Sequence, residues 1–430
     1  MKGIFGRKAR MGIKPQGGRS EHWKSRVLRR RGLAFATAVL LLAGTLAGCG
    51  SSKPAATTDK PAAAAAPAKT IKLGGIFDIT GATADVGKPY ADGAKSYVEY
   101  INSKGGVNGA QIKLIDIDYA YKVPQAVEAY KKLVQQEKVV AILGWGTGDT
   151  EALKESIAKD KIPYISGSYS ENLTDISKAP YNFLGAATYS DQARTTLKWI
   201  KDNWKGQGNP KVALLYNDTP FGKSPVEDAK AFAKQIGVDV VDEEVVAVTA
   251  LDSTSQLLNM DKKKPDYGII QETWGATATI LKDAKKLGIK TKFVGLNWAA
   301  GEGVVKLAGD AAEGYVGVIT HAFAEEKGLP GMKAIEEYLA SKNEKLSDKS
   351  QKFVQGWVSA QIMLAGVKNA GNNVTGETVR QGLEKLNNLD MGGLAAPVSY
   401  KADNHRGTDK VRMGQVKNGK FEMITDYIGH

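Results

Sequence analysis

The chain has 430 residues, 42% hydrophobic and 24% charged, with a formal net charge of +13 and a single cysteine. That length allows two or three domains, and the composition is that of a folded globular protein. Residues 1–48 carry eleven Lys/Arg and one acid, so +10 of the charge sits there and the remainder is only +3. A basic groove for nucleic acid is thereby excluded. With one cysteine, no intramolecular disulfide forms.

In chain order, Arg26, Arg29, Arg30 and Arg31 precede an apolar run over 33–47. The run is short for a bilayer span of about 20 residues and ends in small residues, as a signal peptide does. Its end, "LAGC" (Leu46–Cys49), resembles a bacterial lipoprotein signal. The resemblance implies cleavage before Cys49 and lipidation of its thiol. Residues 49–69 are rich in Pro, Ala, Ser and Thr and have too little apolar bulk to fold, so they are expected to form a flexible tether. This layout predicts an extracytoplasmic body anchored to the bacterial cell membrane.

From residue 70, strands and helices alternate. Strands are predicted at "IKLGGIF", "QIKLIDIDY", "VVAILG" and "IPYIS", with helices over 88–104, 124–137 and 149–160 between them. The series breaks near 181–191 and resumes with "KVALLY", a helix over 221–236, "VDVVDEEVV", "YGIIQ", a helix to residue 288, "KFVGL" and "YVGVIT". Helices are then expected over 329–345, 351–371 and 375–388. The chain closes in a hairpin turning at Asn418-Gly419, a pair suited to a tight type I′ turn. Alternating strands and helices predict an α/β protein of two lobes with parallel sheets.

Ligands in such sheets bind beyond the carboxyl ends of the strands. The turns to inspect are therefore 80–87, 145–150, 167–170, 217–222, 272–275 and 297–302. "GWGTGDT" (144–150) is neither a dinucleotide fingerprint nor a P-loop. It does offer backbone N–H groups, Thr147, Thr150 and Asp149 at a helix start, which suits a carboxylate; Asp149 or Thr147 could equally cap the helix. Trp145, Trp274 and Trp298 each follow a predicted strand, and Tyr169, Tyr189 and Phe221 occupy comparable turns. Such aromatics could wall a cleft that stacks on a flat ligand or cages a cation, or simply pack beneath the turns. The four histidines lack metal-ligand spacing, no Gly-x-Ser-x-Gly elbow occurs, and no catalytic constellation or cofactor motif is found. No enzyme activity, metal or cofactor is expected.

The body resembles the extracytoplasmic solute-binding proteins of ABC importers, in the leucine/isoleucine/valine-binding (type I periplasmic binding protein) branch. "IKLGGIFDITGATADVGKPYADGAKSYVEYINSKGGVNGAQIKLIDID", "YISGSYSENLT", "VALLYNDTPFGKS", "GDAAEGYVGVI" and "HRGTDKVRMGQVKNGKF" carry the similarity. The resemblance implies a Venus flytrap: two Rossmann-like lobes joined by a three-crossing hinge near 187–191, 319–323 and 391–398. Lobe 1 would comprise 70–188 plus 322–393, and lobe 2 189–321 plus 394–430. It implies that Gly146, Thr147, Gly148, Asp149 and Thr150, with Ser168, Tyr169 and Ser170, receive a ligand's carboxylate. Acids that hold an α-ammonium in the family are replaced here by Tyr189, with Asp191 close by, and by Asn297. A first-loop aromatic is replaced around Asp85–Val86, while Glu272 could supply a substitute charge. These departures shift the expected ligand from a branched-chain amino acid toward an aromatic carboxylate, an aromatic amino acid, an amide or a quaternary ammonium compound. The implied partners are that small molecule, ABC permease subunits, and the membrane through lipidated Cys49, with the receptor a monomer. A ligand sensor on the same fold, signalling to a membrane partner, is the alternative; neighbouring genes would discriminate the two.

Overall fold

The computed structural model describes residues 69–430. The predicted leader, Cys49 and the tether up to residue 68 lie outside the described residues. No helix among the described residues is long and apolar enough to cross a membrane.

The first sheet holds β1 (Thr70–Phe77), β2 (Gln111–Asp118), β3 (Ile142–Gly144), β4 (Tyr164–Ser166) and β5 (Asn182–Phe183), all parallel, in the order β2-β1-β3-β4-β5. Its crossovers are α1 (Ala84–Ser103), α2 (Val123–Lys131) continued by a π-helical turn over Lys132–Glu137, and α3 (Thr147–Asp160). The central strands are apolar on both faces, because helices cover both.

The chain then enters α4 (Tyr189–Asn203), which the sequence reading did not foresee. A capping box starts it: the Thr188 hydroxyl accepts from the Asp191 N–H at 3.0 Å, and the Asp191 carboxylate accepts from the Thr188 N–H at 3.3 Å. The second lobe continues with β6 (Lys211–Tyr216), α5 (Pro220–Lys223), α6 (Val226–Ile236), β7 (Asp239–Val245), α7 (Thr254–Lys262), β8 (Tyr267–Gln271), α8 (Trp274–Leu287), β9 (Lys292–Gly295), α9 (Glu302–Ala308) and β10 (Val316–Ile319). The two short helices α7 and α9 were also absent from the sequence reading, as was β5. Next come α10 (Pro330–Ser341), α11 (Gln351–Asn369) and α12 (Gly376–Glu384), of which α11 packs along α1 of the first lobe. An unforeseen pair, β11 (Ser399–Lys401) and β12 (Asn404–Gly407), precedes the terminal hairpin β13 (Arg412–Lys417) and β14 (Lys420–Met423). Asn418 and Gly419, both at positive φ, make its turn.

The second sheet runs β14-β13-β10-β9-β8-β6-β7, parallel except for the antiparallel β13 and β14 at its edge. Its parallel part repeats the first sheet's strand order: the first two strands are exchanged, and the others follow in sequence. Both lobes thus place a switch point beside their first strand, where α/β sheets take ligands. The chain passes between the lobes after β5, after β10 and after β12. The last passage falls later than the expected 391–398, because Leu389 pairs back with Val398 and β12 still packs on β5: the Leu184 N–H donates to His405 O at 3.0 Å and the Tyr400 hydroxyl to Leu184 O at 2.8 Å. Beside the passage after β10, His321 pairs antiparallel with Ala395, and the Ala322 N–H donates to Leu394 O at 2.7 Å. The fold is the two-lobed α/β architecture expected.

Candidate functional site

The carboxyl ends of the two sheets meet around a small cavity of about 20 Å³, room for about one water molecule. The first lobe contributes Thr83, Val86, Tyr121, Trp145, Gly146, Thr147 and Gly167; the second contributes Tyr189, Phe221, Thr273 and Trp298. Six of these eleven were named from the sequence: Trp145, Gly146, Thr147, Tyr189, Phe221 and Trp298. Thr83, Val86, Gly167 and Thr273 fall within the strand-end turns that the sequence marked for inspection. Tyr121 had no such signal; it sits at positive φ just after β2.

Trp298 is the hub. Its indole lies 4.7 Å from Trp145, edge to face, and 6.1 Å from Tyr169 with the rings 3° from parallel. Its Nε1–H donates to the Tyr189 hydroxyl at 3.0 Å and to Gly167 O at 3.2 Å. Trp145 Nε1–H donates to the Thr83 hydroxyl at 2.8 Å, and Thr83 in turn donates to Asp78. Two aromatic rings with satisfied N–H groups thus present their apolar faces to the cavity, as buried indoles do.

The glycine-rich turn splits into two groups. Thr147 faces the cavity and accepts from the Ser168 hydroxyl at 2.8 Å. Thr150 folds back on its own helix, donating to Gly146 O at 2.6 Å. Asp149 lies beneath the turn, where one oxygen accepts from the Tyr119 hydroxyl at 2.7 Å and the other is unpaired. Burial lifts its pKa to about 7, against the Tyr119 hydrogen bond and the backbone N–H groups of Asp149 and Gly146. Its carboxyl sits in the first turn of α3 without a capping hydrogen bond, where the helix dipole favours a negative charge. Gly148 faces Pro220 of the other lobe, where an added Cβ would stand 3.5 Å from the ring. Ser170 donates to Glu151 and accepts from Ser224 across the cleft at 3.3 Å. The Tyr169 hydroxyl accepts from Gln355 at 2.6 Å.

On the second lobe, Glu272 is buried next to Thr273. One oxygen accepts from Asn217 at 2.9 Å and the other is unpaired; burial raises its pKa to about 8. Asn297 is also buried, with both carboxamide atoms unpaired. Trp274 turns away from the cavity: its Nε1–H donates to Ala300 O at 2.8 Å, and its ring lies against Gly301 and Gly303.

Two features went unread in the sequence. Asp85, marked from the sequence only as the place of a replaced aromatic, reaches from the first turn of α1 to the start of α8, where it accepts from the Gly275 N–H at 2.9 Å. Lys352, second residue of α11, is fully buried and donates to Asn297 O at 2.6 Å. The available signal was a lone lysine heading the apolar stretch "FVQGWVSAQIMLAGV".

A sequence profile of the periplasmic binding protein family matches residues 70–420. The Leu/Ile/Val-binding protein homolog 7 of Brucella suis is 24% identical over 381 residues, covering 85% of this chain and 93% of its own. The structure of a branched chain amino acid ABC transporter from Thermus thermophilus with bound valine superposes with a TM-score of 0.80 at 29% identity, covering 84% and 97%. A fatty acid ABC transporter substrate-binding protein from Thermomonospora curvata does so with a TM-score of 0.75 at 25% identity, covering 84% and 93%. With a match spanning nearly the whole described body, and with the doubled sheet topology and the strand-end cavity in place, the chain belongs to the periplasmic binding protein family, type I, whose leucine/isoleucine/valine-binding branch it resembles.

Proposed function

We propose that this protein is the ligand-capturing receptor of an ABC importer. It binds an amino acid or a related small carboxylate or aromatic compound between closing lobes and delivers it to a membrane permease. The observation that carries this reading is the cavity itself, with walls shared by both lobes and made of indole, phenol and hydroxyl groups. Those groups suit a small amphiphilic solute and form no catalytic set, so the protein is a binder and not an enzyme. Relatives named for branched-chain amino acids and for a fatty acid support a carboxylate-bearing solute and leave the rest of the ligand to the cleft. The cavity is too small for any such solute as it stands, so binding requires the lobes to part and close again. A ligand shifts that balance only through its preference for the closed form. The protein is proposed to act as a monomer tethered outside the membrane through a lipidated Cys49.

A thermal-shift screen of the purified protein tests the reading, with amino acids, aliphatic and aromatic carboxylates, amides and quaternary amines as the panel. A solute present at 100 times its dissociation constant adds about 2.7 kcal/mol to folding stability. A clear shift with one chemical class is expected. No shift across the panel, with a folded protein, would refute small-solute capture.

A further inference from the structure

The charge around the cleft can be inventoried residue by residue. Asp85 spends one carboxylate oxygen on the Gly275 N–H at 2.9 Å and the other on the Val86 N–H at 3.0 Å. Both oxygens of Glu302 face the Gln351 N–H at 3.1 Å. Asp149 lies beneath the glycine-rich turn, accepts from Tyr119 with one oxygen and is held toward its neutral form by burial. Glu272 keeps one oxygen unpaired, but it is buried beside Asn217 and held toward its neutral form. No carboxylate among these is left both ionised and free to receive a ligand's ammonium group.

A lysine is present instead; burial lowers its pKa to about 7, so a negative charge beside it would favour its ammonium form. Lys352 lies fully buried, with its Nζ 5.0 Å from the centre of the Trp298 ring and 5.8 Å from that of Trp274. Its two acceptors, Asn297 O and Gln351 Oε1 at 3.0 Å, are both uncharged. An ammonium has three donors, so one remains; the charges of Glu302 and Asp85 favour its protonated form, but neither bonds to it, and a buried cation without a bonded counter-ion is costly. Asn297, whose backbone carbonyl Lys352 holds, has an unpaired carboxamide, and Gln355, one helical turn beyond Lys352, has an unpaired Oε1. The free donors there, Lys352 Nζ–H and Asn297 Nδ2–H, match the acceptors of a carboxylate.

We infer that the cleft selects carboxylates that lack an α-ammonium group, and that Lys352 is the residue that sets this preference, reached when Trp298 gives way to the ligand. The inference rests on the receptor reading and narrows its substrate class. A zwitterionic amino acid would bring an ammonium into a site that already holds one and has no free anion to offer it. The deaminated acid of the same shape would bring only a carboxylate, the direct partner that no protein side chain gives Lys352.

Calorimetry with matched pairs tests this: 4-methylpentanoate against leucine, and 3-phenylpropanoate against phenylalanine. In the natural protein at least one deaminated acid should bind about tenfold or more tighter than its amino acid, a difference such an assay resolves. Lys352→Met should lower the acid's affinity about tenfold or more. Lys352→Gln, which keeps a donor without the charge, should fall between. Circular dichroism and thermal unfolding of both variants establish that they fold. Leucine or phenylalanine binding tighter than its deaminated partner would overturn the inference and leave the receptor reading intact. So would an unchanged acid affinity in two folded variants. Silence of both series together with the whole solute panel would overturn the two readings alike.

Discussion

The carboxylate of Asp85, in the first turn of α1, accepts a hydrogen bond at 2.9 Å from the backbone N–H of Gly275, the second residue of α8. The two residues are 190 positions apart in sequence and belong to different lobes. An acid from one lobe thus caps a helix of the other, where the unsatisfied N–H groups and the helix dipole favour a negative charge. Such a bond exists only while the lobes are together.

Asp85→Ala should therefore favour the open form. Removing a helix cap costs about 1 kcal/mol, or roughly a fivefold change in the closed-to-open ratio. Small-angle scattering should show a larger radius of gyration for the unliganded variant, and ligand affinity should fall by a similar factor. Asp85→Asn, which keeps an acceptor, should lie between. An unchanged radius in the alanine variant would mean that other contacts alone hold the lobes closed.

Trp298 and Trp274 should separate cleanly. Trp298 touches Trp145, Tyr169 and Tyr189 at the cavity, whereas Trp274 is bonded to Ala300 within its own lobe. Trp298→Ala should lower ligand affinity by about tenfold or more and Trp274→Ala by less than about threefold, since interface energy concentrates in packed central aromatics. The double variant should keep its circular dichroism and lose binding. Equal losses in the two single variants would place Trp274 in the binding wall as well.

Glu272 makes stability depend on pH in a set direction. Burial raises its folded-state pKa to about 8, from an ordinary value of 4.5. Between these values the folded protein holds a proton that the unfolded chain has released, so this group's contribution declines as pH rises, on the order of 1 kcal/mol per pH unit. Lys352, lowered to about 7 by burial, acts oppositely only above that pH. The comparison is therefore between the natural protein and Glu272→Gln. The two should melt alike near pH 5, and the variant should be the more stable at pH 8. A constant difference across that range would mean that Glu272 keeps its ordinary pKa when folded.

The first lobe is held by a glycine contact between α1 and α11. A Cβ on Gly93 would stand 1.9 Å from Phe353 O, and one on Gly356 would stand 1.8 Å from Tyr90 O. Backbone oxygens cannot swing away as a side-chain tip can. Gly93→Ala and Gly356→Ala should each destabilise the protein by about 3 kcal/mol, the upper end of overpacking costs, as read by urea unfolding. A loss below about 1 kcal/mol would mean that the helices can slide apart.

Hydrophobic spacing made the alternating elements legible, because each strand and helix must bury its own apolar face. It gave β1 through β4, the parallel strands of the second lobe and the Asn418-Gly419 turn. Short elements escaped, because so few residues show no period: α7, α9, β5 and the β11–β12 pair. So did α4, although Thr188 and Asp191 spell a capping signal. Cavity walls at strand ends were partly legible because Trp145, Thr147 and Trp298 follow apolar runs directly.

What the sequence by itself determined is the repeated strand–helix order, and with it the two sheets whose carboxyl ends must meet. The tertiary structure alone decided which polar groups face one another there. Asp149 turned under its helix, Asp85 crossed to α8, and Lys352 came to lie against Trp298 from 54 positions away. Local periodicity records whether a residue is buried. Its partner depends on how two lobes, folded from distant stretches of chain, pack together.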